Sequence, residues 1–488
     1  MQFPNSGARI LAASVSPIGT FFLRFVRMLI LSRLLMPGEV GAAVVLLSLL
    51  TACELVTDVG LDRFVMIVDR QRRAQAVAAA RQIAIVRAGI LTALIAWFAP
   101  DLCAVFGDRS LAGSAEWLAL IPLINSFKNW RLDQVQREYR YGPEAIASIS
   151  SQCMAVAALV PGFMLWHDHR LIVLSLFSES GTYVVLSHIL VRDKPAGRVD
   201  RAMRRAALAY SLPLMANGIC LMLIKQLDQI VVANFFGLAM LAVYSLGFNL
   251  AVTPTSPLQS IAQKIGLPTL GNAREYPDTY RRTSALLVLA MTLLAAAYAL
   301  AAGLVLDYAV PALYGRQYSL TAGFATFAML SAYLRLCRSG PTMVLLQRGE
   351  TASLAIGNMV GGIGALAGLI AGFVFRRLDG VMAGFALGDL ASFVVYLFLV
   401  RRHVPLDRTL RHCGFLTFAM IGVAIALWAV PDLGIEQRLL IFVAGAGAIS
   451  IDAVIVWRGY GRQVTTWPAP RSSGLLRPVA EVVPEQVN

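Results

Sequence analysis

Long apolar runs separated by short polar stretches make up most of the chain. Fourteen runs are long enough to cross a bilayer as helices: 9–33, 40–66, 82–100, 112–132, 144–165, 171–191, 206–234, 240–266, 283–305, 319–344, 352–375, 379–400, 412–430 and 438–457. A span needs roughly 20 apolar residues, because hydrocarbon leaves backbone N–H and C=O groups no partner outside the helix. The pattern predicts an all-α polytopic membrane protein of about 14 transmembrane helices. An even number of spans puts both termini on one side.

The connections between runs differ in charge. Arg and Lys collect in DRQRR (69–73), REYR (137–140), RDKPAGRVDRAMRR (192–205), YRR (280–282) and RRHVPLDRTLR (401–411). The alternate connections carry only Arg109, Arg170, Arg316, Arg376, Arg377 and Arg438, with Arg33 at a helix end, where its head should snorkel to the interface. Cationic loops mark the cytosolic face. The expected location is a bacterial inner membrane, with both termini cytosolic. The first run contains arginines and lacks a small-residue cleavage site, so it is expected to remain as a helix.

The longest basic connection divides twelve of the runs into two sets of six. The expected organisation is an N-lobe at 1–195, a C-lobe at 196–405, an extra helix pair at 406–460 and a disordered polar tail at 461–488. The two sets read as repeats. IGTFFLRFVRMLILSRLLMPGEVGAAV (18–44) aligns without a gap on ICLMLIKQLDQIVVANFFGLAMLAVYS (219–245), at an offset of 201 residues. Arg24 then falls on Lys225, and Arg27 on Asp228. After the fourth helix of each set, VQREYRYGPEAIASIS (135–150) and LQRGETASLAIGNMV (346–360) share Gln-Arg.

Composition agrees. The 488 residues are 58% hydrophobic and 14% charged, with mean hydropathy +0.68; a soluble domain carries ~25% charged residues. The net charge of +14 sits mainly in the loops, so no nucleic-acid partner is expected. Six cysteines, at 53, 103, 153, 220, 337 and 413, show neither a disulfide framework nor metal spacing. There is no GxSxG, Walker A or HExxH, and no loop could hold a catalytic domain. No cofactor or metal is expected, and the protein is read as a transporter and not an enzyme.

Charged residues inside the spans are therefore the candidate machinery. A central Arg costs ~2.5–3.5 kcal/mol on insertion scales, yet Arg24 and Arg27 lie three apart on one face of the first helix. Either they pair with carboxylates, Glu54 and Asp58 on helix 2 being candidates, or they line a wet cavity that receives an anion. Lys225 at the repeat position of Arg24 favours a cross-lobe pair of cations suited to a phosphate or diphosphate. Asp228 is a candidate partner for Lys225 or Arg27. Arg63 lies near the cytosolic end of helix 2. Arg335 and Arg338, three apart in helix 10, either receive a headgroup or reach the interface. Glu179 and Asp389 occupy equivalent helices, 6 and 12, as ion-pair or coupling carboxylates. Pro17, Pro213, Pro254, Pro257 and Pro268 mark bends.

ILSRLLMPGEVGAAVVLLSLLTACELVTDVGLDRFVM (30–66) resembles the helix 1–2 signature of bacterial polysaccharide flippases. LIKQLDQIVVANFFGLAMLAVYSLGFNLAVTPTSPLQSIAQKIGLPTLG (223–271) resembles their second-lobe signature, and QVQREYRYG (134–142) the basic turn after helix 4. The resemblance covers roughly residues 8–460. It is to the polysaccharide transporter branch of the multidrug/oligosaccharidyl-lipid/polysaccharide exporter superfamily, which includes exopolysaccharide and succinoglycan-type transport proteins. The resemblance implies two six-helix lobes around a cationic cavity, working by alternating access. It implies an undecaprenyl-diphosphate-linked oligosaccharide repeat unit as substrate, membrane lipid as surroundings, and a polymerase and chain-length regulator as partners. The alternatives are a multidrug or organic-cation antiporter, a lipid II flippase of the same superfamily, or a membrane glycan polymerase, which the short outer loops oppose.

Overall fold

The computed structural model of the protein describes residues 6–56, 61, 65, 68, 73–132, 142–191, 201–274, 276–375, 377–402, 404, 407–430 and 435–464. Among these residues every regular element is helical. The N-terminal half contains α1 (Ser6–Leu34), α2 (Pro37–Val56), α3 (Arg73–Val105), α4 (Ala112–Leu118), α5 (Leu120–Ser126), α6 (Gly142–Ala157), α7 (Leu159–Leu165) and α8 (Arg170–Leu190). The C-terminal half contains α9 (Arg201–Phe236), α10 (Leu238–Ala251), α11 (Thr255–Ala273), α12 (Pro277–Tyr314), α13 (Ala322–Arg348), α14 (Thr351–Phe375) and α15 (Leu378–Arg401). The last pair is α16 (Asp407–Ala429) and α17 (Ile435–Val464).

Eleven stretches among the described residues are long and apolar enough to cross a membrane, so this is a multi-pass membrane protein. The other three expected runs fall on α4 with α5, on α9 and on α13. Their helices are broken or carry polar residues such as Gln226, Asp228, Arg335 and Arg338. The helix breaks have a local cause. Proline has no N–H for the carbonyl four residues earlier. α4 ends at Leu118, four before Pro122, and α6 ends at Ala157, four before Pro161. The run 240–266 divides into α10 and α11 at 252–254, with Pro254 capping α11. α1 instead runs through Pro17.

α14 and α15 pack through glycine. A Cβ on Gly368 would lie 2.2 Å from the Gly384 Cα, and one on Gly364 would lie 2.2 Å from the Gly388 Cα. Small residues let helix backbones approach closely, which matters where lipid supplies no hydrophobic drive for helix pairing. Gly384→Leu is expected to separate this pair and to cost about 1–3 kcal/mol or more, read as a lower unfolding midpoint in detergent. Gly414→Leu, where nothing crowds a Cβ, should leave the midpoint near that of the natural chain.

α16 and α17 pack on α12 and α13. α17 continues through Val464, past the expected end of the fourteenth run. The expectation of a disordered tail falls, after 464, outside the described residues.

The two halves meet through α1, α2 and α3 on one side and α9, α10, α11 and α12 on the other. These contacts are closest at the face away from the Arg-rich loops, hereafter the opposite face. There Gly41 of α2 lies against the Leu238 backbone at the start of α10, with a built Cβ only 1.9 Å from the Leu238 carbonyl oxygen. The Phe25 ring meets Tyr314 edge-on at 6.0 Å.

Candidate functional site: a charged cavity and a cross-half closure

A cavity of about 770 Å³ lies among α1, α2, α3, α5, α6 and α8. A second, of about 540 Å³, lies between α1, α2 and α8 on one side and α9 and α10 on the other. Arg24, Glu54 and Glu179 line both. Glu179 of α8 joins the two arginines of α1. Arg27 Nη1 donates to Glu179 Oε2 at 2.6 Å, and Arg24 Nη2 stands 3.6 Å from Oε1. Gln152 of α6 also donates to Oε1, at 2.5 Å.

The two arginines differ in surroundings. The Arg27 side chain is 5% exposed and that of Arg24 62% exposed. A buried guanidinium needs its counter-charge, whereas an exposed ion pair contributes ~0–1 kcal/mol and exchanges readily. Arg27 is therefore the fixed member and Arg24 the exchangeable one. The partners weighed from sequence for Arg27 were Asp228, Glu54 and Asp58; the structure gives it Glu179. The correction follows from helix rotation: the Arg24 and Arg27 face of α1 turns toward α8. Asp228 instead accepts from the Tyr244 hydroxyl at 2.7 Å.

Among the described residues the expected cationic cavity is balanced. Arg24, Arg87 and Lys128 line the larger one together with Glu54, Glu144 and Glu179. Glu144, which sequence reasoning missed, accepts from Ser16 Oγ at 3.1 Å and Ser148 Oγ at 2.8 Å. Lys225 falls within α9, but its side chain is not among those described, nor are Asp58 and Arg63.

The C-terminal half repeats the chemistry with different helices. Asp389 of α15 takes Arg335 Nε at 2.9 Å, Arg338 Nη1 at 3.2 Å and Ser331 Oγ at 2.6 Å. In each half, one carboxylate on the sixth expected span gathers two arginines three apart. The arginines come from the first span in one half and the fourth in the other. The Arg335 guanidinium also lies over the Phe248 ring at 5.2 Å, and Phe248 lines the cavity between the halves. Arg335 and Arg338 thus hold a buried carboxylate, instead of simply reaching for the interface. The two histidines of the 166–170 connection make no metal site among the described residues: His169 bonds Glu39 at 2.8 Å and Ser114 at 3.0 Å. His412 bonds Asp452 at 2.6 Å.

The opposite face is held by two reciprocal helix caps. Arg33 of α1 crosses to the C-terminal end of α12, where Nε donates to the Leu313 carbonyl at 2.6 Å and Nη2 to that of Ala312. Asn234 of α9 crosses to the end of α3, where Nδ2 donates to the Val105 carbonyl. The last carbonyls of a helix lack intrahelical partners and carry partial negative charge, so both donors cap a helix. Arg33 and Asn234 are 201 residues apart, the repeat offset. Each binds the third span of the other half. Arg33 was expected only to snorkel; its cap on α12 appears once the halves are docked.

Comparison with known proteins places these features. Residues 30–322 match the family described as polysaccharide biosynthesis protein. Over 281 residues the chain is 24% identical to the succinoglycan biosynthesis transport protein ExoT of Rhizobium meliloti (strain 1021). That match spans 56% of this chain and 55% of the relative, just over half its length. In fold the chain is similar to lipid II flippase MurJ in an inward closed conformation, with TM-score 0.60, 12% identity, and 91% and 99% of the two chains covered. It is also similar to the inward-facing conformation of a multidrug resistance MATE family transporter, with TM-score 0.56, 12% identity, and coverage of 82% and 99%. The chain belongs to the polysaccharide biosynthesis protein family.

Proposed function

We propose that the protein is a flippase that moves an oligosaccharide repeat unit on undecaprenyl diphosphate across the bacterial inner membrane, for exopolysaccharide biosynthesis. The observation that carries this reading is the shared Glu179. A diphosphate brings more charge and more acceptor oxygens than one carboxylate, and guanidinium binds it in forked geometry. It can take Arg24 from Glu179 while Arg27 keeps its counter-ion, so no buried charge is stranded. When Glu179 recovers Arg24, the headgroup is released. The family membership and the similarity to a succinoglycan biosynthesis transport protein support this substrate class.

In this reading the basic face is cytosolic, as are both termini. The two halves are six-helix lobes, fourteen spans are completed by α4 with α5, α9 and α13, and Lys225 adds a cation from the second lobe. The halves are joined on the opposite face by the Arg33 and Asn234 caps and by Gly41 against Leu238, an arrangement read here as the loading state of an alternating-access cycle. A polymerase and a chain-length regulator would receive the product.

Deleting the gene is expected to abolish polymer and to leave lipid-linked repeat units on the cytosolic leaflet. Arg24→Ala should cut transport about tenfold or more, the loss of one charged hydrogen-bond partner. Its unfolding midpoint should stay near that of the natural chain, since the side chain is largely exposed. Arg24→Lys should restore part of the transport. Normal polymer output from Arg24→Ala would remove Arg24 as a headgroup ligand.

Glu54 and Glu144 in the same cavity favour a second reading, an organic-cation antiporter of the same superfamily. Lost dye resistance with unchanged polymer in the deletion strain would select it.

A further inference from the structure

We propose a second anion site, separate from the central cavities, that holds the phosphate of a ligand at the basic face of the C-terminal half, its source being an anionic membrane lipid. A pocket of about 520 Å³ opens where α11 ends, α12 begins and α13 ends. Arg274, Arg281 and Arg348 line it, with Asp278 as the carboxylate among the lining residues. Like charges drawn into one concavity repel each other unless an anion joins them. Among the described residues neither Arg274 nor Arg348 forms an ion pair. Scattered loop cations satisfy the positive-inside rule equally well when fully solvated; a cavity lined by three of them is an additional feature.

Three further observations favour phosphate. Guanidinium groups match phosphate oxygens in forked geometry. The pocket also contains the start of the 38-residue α12, whose N-cap residue Tyr276 supplies no side-chain cap. Pro277 at its first position has no N–H, so the Asp278 and Thr279 N–H groups and the positive end of the dipole lie at the helix end that borders the pocket, and such helix ends hold phosphate. Finally, the Arg348 guanidinium is stacked over the Tyr280 ring at 5.8 Å, and Tyr280 is 7% exposed. That fixed ring holds one cation in place, and its buried hydroxyl has no hydrogen-bond partner. Cationic pockets between helix ends on the cytosolic side are suited to anionic headgroups.

The test uses the full chain in neutral detergent, independently of transport. Phosphatidylglycerol is titrated in, with binding read by native mass spectrometry and by the unfolding midpoint. Phosphatidylcholine and inorganic phosphate are titrated in parallel. The natural chain is expected to retain phosphatidylglycerol in preference to phosphatidylcholine. Arg274→Ala with Arg348→Ala should require on the order of tenfold more phosphatidylglycerol for equal retention, and the matching double Lys variant should bind close to the natural chain. A stronger effect of the lipid than of inorganic phosphate identifies the headgroup as the source; an equal effect, still lost in the double Ala variant, identifies a soluble phosphate. Equal retention of both lipids by the natural chain, or unchanged retention in the double Ala variant, overturns the proposal.

Discussion

Glu179→Ala is expected to remove most of the folded protein from the membrane. The substitution takes the counter-charge from Arg27, whose side chain is 5% exposed. An unpaired buried guanidinium costs about 3–5 kcal/mol, a large share of the stability of an ordinary domain. Folded yield and unfolding midpoint in detergent should both fall steeply. The same loss would follow from a purely structural ion pair, so a second variant separates the roles. Arg27→Met with Glu179→Leu replaces the pair by apolar residues, an exchange that is often neutral or stabilising. Folding should return. Transport should stay below roughly one-tenth of normal, because nothing then competes with the headgroup for Arg24. Full transport by the refolded double variant would reduce the cluster to a structural staple.

Arg33→Ala combined with Asn234→Ala should shift the protein toward a state open on the opposite face. Each side chain caps a helix of the other half, and no other function is assigned to it. A cap of this kind is worth about 1 kcal/mol at an exposed site, so losing both should change the ratio of states by more than about tenfold. Spin labels at Asp108 and Phe235, beside the Asn234 cap, would report the change as a growing long-distance population. Each single variant should give an intermediate distribution, since the two side chains cap different helices and share no partner. Arg33→Lys, which keeps the charge at the α12 terminus, should lie near the natural chain. An unchanged distance distribution in the double variant would show that Gly41 against Leu238 and the apolar packing suffice to close this face.

The 201-residue offset relates more than charged pairs. It sets Arg24 against Lys225 and Arg27 against Asp228, yet in the structure Arg27 and Asp228 bind different partners. The same offset relates Arg33 to Asn234, a cation and an amide with no obvious kinship in sequence. Their likeness lies in what they donate to, and that is visible only with α3 and α12 in place. Glu144 and Gln152 left no sequence signal, because one carboxylate or amide near the start of a span also reads as interface. The glycines of α14 and α15 did carry one: Gly364, Gly368 and Gly372 repeat at four-residue spacing against Gly380, Gly384 and Gly388.

By itself the sequence determined the helical class, the approximate spans, the charge asymmetry of the two faces and the few charged residues that lie in apolar runs. These are properties of the chain along its own length: apolar run length, loop charge and proline position act within one or two helical turns. Tertiary structure decided which carboxylate neutralises which arginine, why the cavity is charge-balanced, and how the halves close. Glu179 reaches Arg27 from 152 residues away. The sequence shows that Arg24 and Arg27 share one face of α1, but nothing within one or two turns says which neighbouring helix that face meets, so its rotation toward Glu179 of α8 is set by packing among the helices.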